Sequence, residues 1–177
     1  MSCFKMKTKY RKISHVTAQK VKRANLNIFN KVSIEDYENN KSLFDPQRQK
    51  YVRMLLEGLS KHTTSKFFLD VGCGTGNILR NALPFFKKCI GVDLSYTLMA
   101  KVKKRNPSLT LTSGTGEELP FKNSLFDCVS LNALLHHIVD IHLVFSEVYR
   151  VLKSEGYLYT DHDPNISLIV FTTYSIG

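Results

Sequence analysis

Phe67-Phe68-Leu69-Asp70-Val71-Gly72-Cys73-Gly74-Thr75-Gly76-Asn77 is the stretch on which the fold turns. Lys66 to Val71 is a short apolar run that reads as a buried strand, and three glycines at alternate positions follow at once. Glycine lets the backbone turn tightly from strand to helix and approach a ligand with no Cβ in the way. A second strand, Cys89 to Asp93, closes on an acid 17 residues after Gly76. That acid, Asp93, is placed to accept hydrogen bonds from both ribose hydroxyls of an adenine nucleoside.

Two common ligands are excluded by spacing. A dinucleotide turn needs glycine where Asn77 stands, and a phosphate-binding loop needs a Lys after Gly76. Asp70, just ahead of Gly72, would repel a pyrophosphate and suits a ligand that carries positive charge.

The pattern on either side alternates. Asp45 reads as the N-cap of a helix with Pro46 at its first position, an apolar face of Tyr51, Met54, Leu55 and Leu59, and an end near Gly58 to Ser60. Gly76 to Lys88 is helical until Pro84 interrupts it near Leu83. Ser95 caps a helix to Arg105; Leu109 to Thr112 and Leu125 to Leu131 are strands. Ile141 to Leu152 is a helix with Leu143, Val144, Val148, Val151 and Leu152 inward, and Gly156 to Thr160 starts a fifth strand. Strands alternating with helices at this spacing predict an α/β fold with a doubly wound, mostly parallel sheet. Its ligand site lies beyond the carboxyl ends of the strands.

Phe68 to Gly76 resembles motif I of the class I S-adenosylmethionine-dependent methyltransferases. Gly91-Val92-Asp93-Leu94-Ser95 is similar to that family's ribose-binding strand end, and Gly116-Glu117-Glu118-Leu119-Pro120-Phe121 to its adenine-side loop. Phe126-Asp127-Cys128-Val129 with Leu135-His136-His137 resembles motif IV, and Glu147 to Gly156 the helix and turn before strand 5. Together these cover residues 45–163. The resemblance implies a Rossmann-like fold, S-adenosylmethionine as cofactor, and methyl transfer to a small-molecule, lipid or quinone-type acceptor. It implies cofactor contacts at Asp70, Gly72, Cys73, Gly74, Gly76, Asp93, Leu94, Gly116, Glu117 and Asn132.

Where the family often has Asp-Ala this chain has Thr115-Gly116, so Glu117 or backbone is expected to recognise the adenine amino group. Leu131-Asn132-Ala133-Leu134 departs from the Asn/Asp-Pro-Pro-Tyr of enzymes that methylate exocyclic or amide nitrogens. His136 or His137, just after strand 4, is the candidate catalytic base. Tyr37 covers the methionine end of the cofactor or serves as a core aromatic of the cap. His162, between Asp161 and Asp163, reads as part of a loop-capping turn.

The family's sheet runs 3-2-1-4-5-7-6, but Gly177 follows Thr160 by only 17 residues. The apolar tail Ile166 to Tyr174 has three readings, the start of another element, a cover for the sheet or an exposed stub; if the last two strands are absent, strand 5 becomes an edge available for pairing or oligomerisation. A rival reading follows: a non-catalytic cofactor-binding or interaction module completed by a partner.

Composition bounds the rest. The 177 residues are 43% apolar and 23% charged, which suits a packed domain rather than a disordered chain. The net charge of +10 is concentrated at one end: nine of the 25 Lys and Arg precede the first carboxylate, Glu35. Residues 1–34 are therefore set apart as a basic arm, and residues 35–177 as the domain proper. Three readings of the arm stand side by side: a solvated extension, a polyanion-binding arm that is the only route to nucleic acid, and an organelle-targeting peptide. Location is otherwise expected to be cytoplasmic, with no secretory signal and no apolar run of membrane-spanning length. Cys3, Cys73, Cys89 and Cys128 are too scattered for a metal site, so none is expected, and the last three read as buried free thiols.

Overall fold

The computed structural model describes residues 15–39, 42–163 and 169–172. The helices are α1 (His15–Phe29), α2 (Ile34–Asn39), α3 (Pro46–Lys61), α4 (Asn77–Ala82), α5 (Tyr96–Arg105) and α6 (Ile141–Val151). The strands are β1 (Phe67–Val71), β2 (Lys88–Asp93), β3 (Thr110–Ser113), β4 (Phe126–Asn132), β5 (Leu152–Asp161) and β6 (Ile169–Thr172), with 3-10 turns at Ser42–Phe44 and Leu135–His137. The sheet order is β3-β2-β1-β4-β5-β6, and β1 to β5 run parallel. The winding reverses between β1 and β4, so the loops after those two strands diverge and leave a crevice.

Successive strand residues point to opposite faces, which splits the core in two. Phe68, Cys128 and Tyr159 pack under α3, α4 and α5 with Leu56, Leu79 and Val102. Leu69, Val129 and Leu158 pack under α6 with Val144, Val148 and Val151. Local signals behave as read at two helix starts, Asp45 and Ser95, and a third cap, Asp140, went unread. Asp45 Oδ1 accepts from the N–H groups of Gln47 and Arg48 at 3.0 and 3.1 Å, with Pro46 in the first turn. Ser95 Oγ accepts from Leu98 N–H at 3.1 Å, and Asp140 caps α6. Cys73, Cys89 and Cys128 are buried free thiols, and burial pushes the Cys89 thiol up to about 12.

Several expectations are corrected by packing. The buried row of α3 is Val52, Leu56 and Leu59, while Tyr51 and Met54 stand 41% and 62% exposed. Two apolar rows lie side by side on this helix, and burial follows the row that meets Phe68 and Tyr159. Leu143 likewise faces outward on α6, at 50% exposure. The helix α3 continues through Gly58 to Lys61, and α4 stops at Ala82, two residues ahead of Pro84.

The edge expected at strand 5 is covered. β6 pairs antiparallel with β5, in register from Tyr157 opposite Thr172 to Thr160 opposite Ile169. β6 thus supplies partners to the β5 backbone between Tyr157 and Thr160. No helix among the described residues is long and apolar enough to cross a membrane.

Residues 1–14 lie outside the described residues, and with them Lys5, Lys7, Lys9, Arg11 and Lys12 of the basic arm. The second half of that arm is α1, and Phe29 and Val32 pack against the core cluster under α3 to α5.

Gly91 on β2 marks the tightest packing in the sheet. A Cβ there would sit 2.5 Å from Leu79 Cδ1 and 2.7 Å from Cys73 Sγ. Gly91→Ala is expected to lower stability by about 1–3 kcal/mol, as overpacking does. A urea midpoint that falls with an unchanged m-value is the measurement.

Candidate active site

The turn after β1 is held by its glycines and by β2. Gly72 adopts φ 73°, and a Cβ at that position would lie 2.6 Å from Leu134 Cδ1. Any other residue here would close the space between the turn and the loop after β4. The N–H groups of Gly72 and Cys73 both donate to Val92 O, at 2.8 and 3.0 Å, which hangs the turn from β2.

Asp93 ends β2 and ties three segments together. Its Oδ2 accepts from Gly74 N–H at 2.9 Å and its Oδ1 from Ser95 N–H at 2.8 Å. Burial raises its carboxyl, and the backbone donors of Ser95, Gly74 and Leu94 oppose that rise. Asp70, on β1, is buried, and its Oδ1 accepts from Ser130 Oγ at 2.6 Å. Burial pushes its carboxyl up to about 7, with Ser130 lowering it and the Asp93 charge adding to the rise.

Above these strand ends lies a cleft of about 1050 Å³, counting its open mouth. Asp70, Gly72, Cys73, Gly74, Asp93, Leu94, Gly116, Glu117, Asn132 and His137 all line it. Gly76 and His136 are not in its wall. Gly76 lies behind the turn at φ 79°, where a Cβ would meet Leu109 Cδ1 at 2.8 Å. His136 turns toward Asp163, with Nδ1 at 2.7 Å from Oδ1. Tyr37 lines the cleft and also rests edge-on against Phe44. Burial raises the Tyr37 hydroxyl, and the Asp93 charge adds to that.

The roof is the part that sequence reasoning missed. Lys22, Asn25 and Phe29 of α1 face the cleft together with Leu43 and Phe44. Lys22 Nζ pairs with Glu117 Oε1 at 3.3 Å, and Asn25 Nδ2 donates to His137 O at 3.0 Å. Ser95 Oγ donates to Asn30 Oδ1 at 2.7 Å, and Glu38 lies between Arg80 and Arg105 at 2.8 and 3.5 Å. The apolar spacing of Phe29, Val32 and Ile34 was the available signal, masked by the surrounding charge. Glu117, expected to read adenine, is engaged by Lys22 in this arrangement.

Beyond β5, His162 Nε2 lies 3.2 Å from Ser42 Oγ, and Arg48 forms an ion pair with Asp161. Burial and the Arg48 charge lower the His162 imidazole. Among the described residues no group of three His, Cys, Asp or Glu is placed to hold a metal ion.

Residues 69–160 match the family model described as a methyltransferase domain, which is just over half of the chain. The chain belongs to the methyltransferase-domain family. It is 33% identical over 100 residues to the uncharacterized methyltransferase YcgJ of Bacillus subtilis, covering 53% of this chain and 40% of that one. It is 35% identical over 91 residues to a demethylmenaquinone methyltransferase of Streptomyces avermitilis, covering 50% of this chain and 38% of that one. The fold matches phosphoethanolamine N-methyltransferase 1 of Haemonchus contortus, solved with phosphoethanolamine and S-adenosylhomocysteine, at a TM-score of 0.66. That match has 16% identity and covers 84% of this chain and 33% of that one. The aligned chain thus spans less than half the length of either curated relative.

The residues of this cleft fit S-adenosylmethionine, the cofactor that the resemblance of the glycine turn implies. Asn132 Nδ2 is buried in the cleft with no hydrogen-bond partner among the described residues. Such an orphaned donor calls for a ligand acceptor, because an unmade buried hydrogen bond costs about 1–3 kcal/mol. Gly72 and Gly74 leave the backbone bare where the ligand must approach, and Asp70 and Asp93 supply acceptors beside it.

Proposed function

We propose that this chain is an S-adenosylmethionine-dependent methyltransferase acting on a small, largely apolar acceptor that gives up a proton as it is methylated. The observation that carries this reading is the division of one cleft into two ends. Carboxylates and bare glycine backbone lie at the ends of β1 and β2, while Phe29, Leu134, Ile138 and Val139 surround His137 beyond β4. An apolar wall with one imidazole suits a ring or lipid-like acceptor better than a phosphate or an amino acid. Relatives named demethylmenaquinone methyltransferase support a quinol-type acceptor.

When bound, S-adenosylmethionine supplies an electrophilic methyl group on a sulfonium. Asp93 accepts from the ribose hydroxyls, Asp70 faces the ammonium charge, and Asn132 Nδ2 donates to the carboxylate end. In-line methyl transfer gains chiefly from alignment and exclusion of water, and the α1 roof provides both. His137 takes the proton that the acceptor releases.

Calorimetric titration with S-adenosylmethionine is expected to show saturable binding at one site per chain. Formation of S-adenosylhomocysteine is then expected with demethylmenaquinol and not with phosphoethanolamine. Absence of saturable binding would sink the cofactor assignment; turnover confined to phosphoethanolamine would sink the apolar acceptor.

A further inference from the structure

Asp163 lies just past β5, 6% exposed, and among the described residues its carboxylate bonds to His136. Oδ1 accepts from the backbone N–H of His136 at 3.0 Å and lies 2.7 Å from His136 Nδ1. A carboxylate can only accept, so this pairing puts a proton on Nδ1 and fixes the ring's orientation. The His136 ring in turn lies against that of His137, with centroids 4.0 Å apart and planes tilted by 45°. His137 is gripped from the roof as well. Phe29 meets its ring edge-on at 5.3 Å, and Asn25 Nδ2 holds its carbonyl at 3.0 Å.

This matters because His136 and His137 sit on a single 3-10 turn, Leu135–His137, with little rigidity of its own. Within it, His137 N–H donates to Leu134 O and Ile138 N–H to Leu135 O, at 2.9 and 3.1 Å. A side chain that must meet a reacting atom needs its neighbours to fix it. We infer that Asp163 is a positioning residue that aims His137 into the cleft by anchoring His136, and that His136 is a brace rather than the base. The inference rests on the reading of His137 as proton acceptor and adds to it the device that holds the imidazole in place.

The test compares wild type, Asp163→Ala and Asp163→Asn. With demethylmenaquinol as acceptor, Asp163→Ala is expected to lose about 100-fold in kcat, the usual penalty for a misplaced catalytic group. The KM for S-adenosylmethionine is expected to stay within about twofold, because the carboxylate touches none of the cofactor wall. Asp163→Asn keeps an acceptor oxygen for both His136 donors and is expected to recover most of the loss. Nitrogen-15 histidine spectra of the cofactor-free protein supply a second readout: His136 as the Nδ1–H tautomer in wild type and Asp163→Asn, that tautomer lost and the His137 ring signals shifted in Asp163→Ala. Wild-type kcat in Asp163→Ala, no recovery in Asp163→Asn, or a parallel loss of cofactor affinity overturns the inference. If the wild-type chain fails to turn over demethylmenaquinol, the proposed reaction fails by itself. The spectra then decide: an unmoved His137 in Asp163→Ala overturns the brace, and a shifted one upholds it. Should Asp163→Ala not fold, His136→Phe keeps the ring and removes the donor. It is expected to lower kcat about tenfold, and an unchanged kcat overturns the inference.

Discussion

Asp93→Ala is expected to weaken S-adenosylmethionine binding by about 100-fold or more, since each hydrogen bond to a charged acceptor contributes about 1.5–3 kcal/mol. The substitution removes the acceptor proposed for both ribose hydroxyls. It also releases Gly74 N–H, which Asp93 Oδ2 holds at 2.9 Å, so the glycine turn loses its tie to β2 on the ligand side. Asp93→Asn separates the two effects. It can keep an oxygen toward Ser95 N–H, but its amide then sets a donor against Gly74 N–H. Calorimetry on all three proteins is the measurement. A dissociation constant for Asp93→Ala within about threefold of wild type, less than a single such bond is worth, would remove Asp93 from the ribose site.

Asp70→Asn is expected to raise stability, and only above acidic pH. An exposed aspartate titrates near 3.9, whereas burial holds Asp70 near 7. Between those values the folded chain keeps a proton that the unfolded chain has given up. Stability therefore falls as pH rises through that window and levels off above about 7. Three units correspond to about 4 kcal/mol. Asparagine cannot ionise, and Ser130 Oγ can still donate to its oxygen. The variant is expected to match wild type near pH 4 and to exceed it at pH 8 by up to about 4 kcal/mol. Urea unfolding at several pH values checks this, and parallel profiles for the two proteins would count against it. The ligand inverts the preference: an ammonium group beside Asp70 favours the carboxylate. Affinity for S-adenosylmethionine is expected to rise through pH 7 in wild type, with a proton released on binding below that pH. In Asp70→Asn both the affinity and its pH dependence are expected to drop.

The floor of the site was legible in the sequence, because it is built from short-range signals. Three glycines, an acid before them and an acid at the end of the next strand are local consequences of how a chain turns under a ligand. The alternation of strands and helices followed from composition and spacing in the same way. The roof was not legible. Lys22, Asn25 and Phe29 act through contacts with Glu117 and His137 on loops roughly a hundred residues away, and no local pattern encodes such a pairing. The exposed Tyr51 and Met54 teach the same lesson within one helix: periodicity finds apolar rows, and tertiary contact chooses between them. β6 stood in the sequence only as one of three fates of the apolar tail, because four residues carry too little pattern to announce a pairing. His136 and His137 are alike in type and adjacent in sequence, and the fold tells them apart: Asp163 holds the first, and the cleft wall takes the second.

The order of synthesis gives the roof a history of its own. Helix α1 is made before the floor it covers, and the contact of Asn25 with His137 needs 112 further residues. At about 5–20 residues per second, that interval is on the order of ten seconds. The Lys and Arg of α1 and of the segment before it favour solvation of this strip while its floor is still missing.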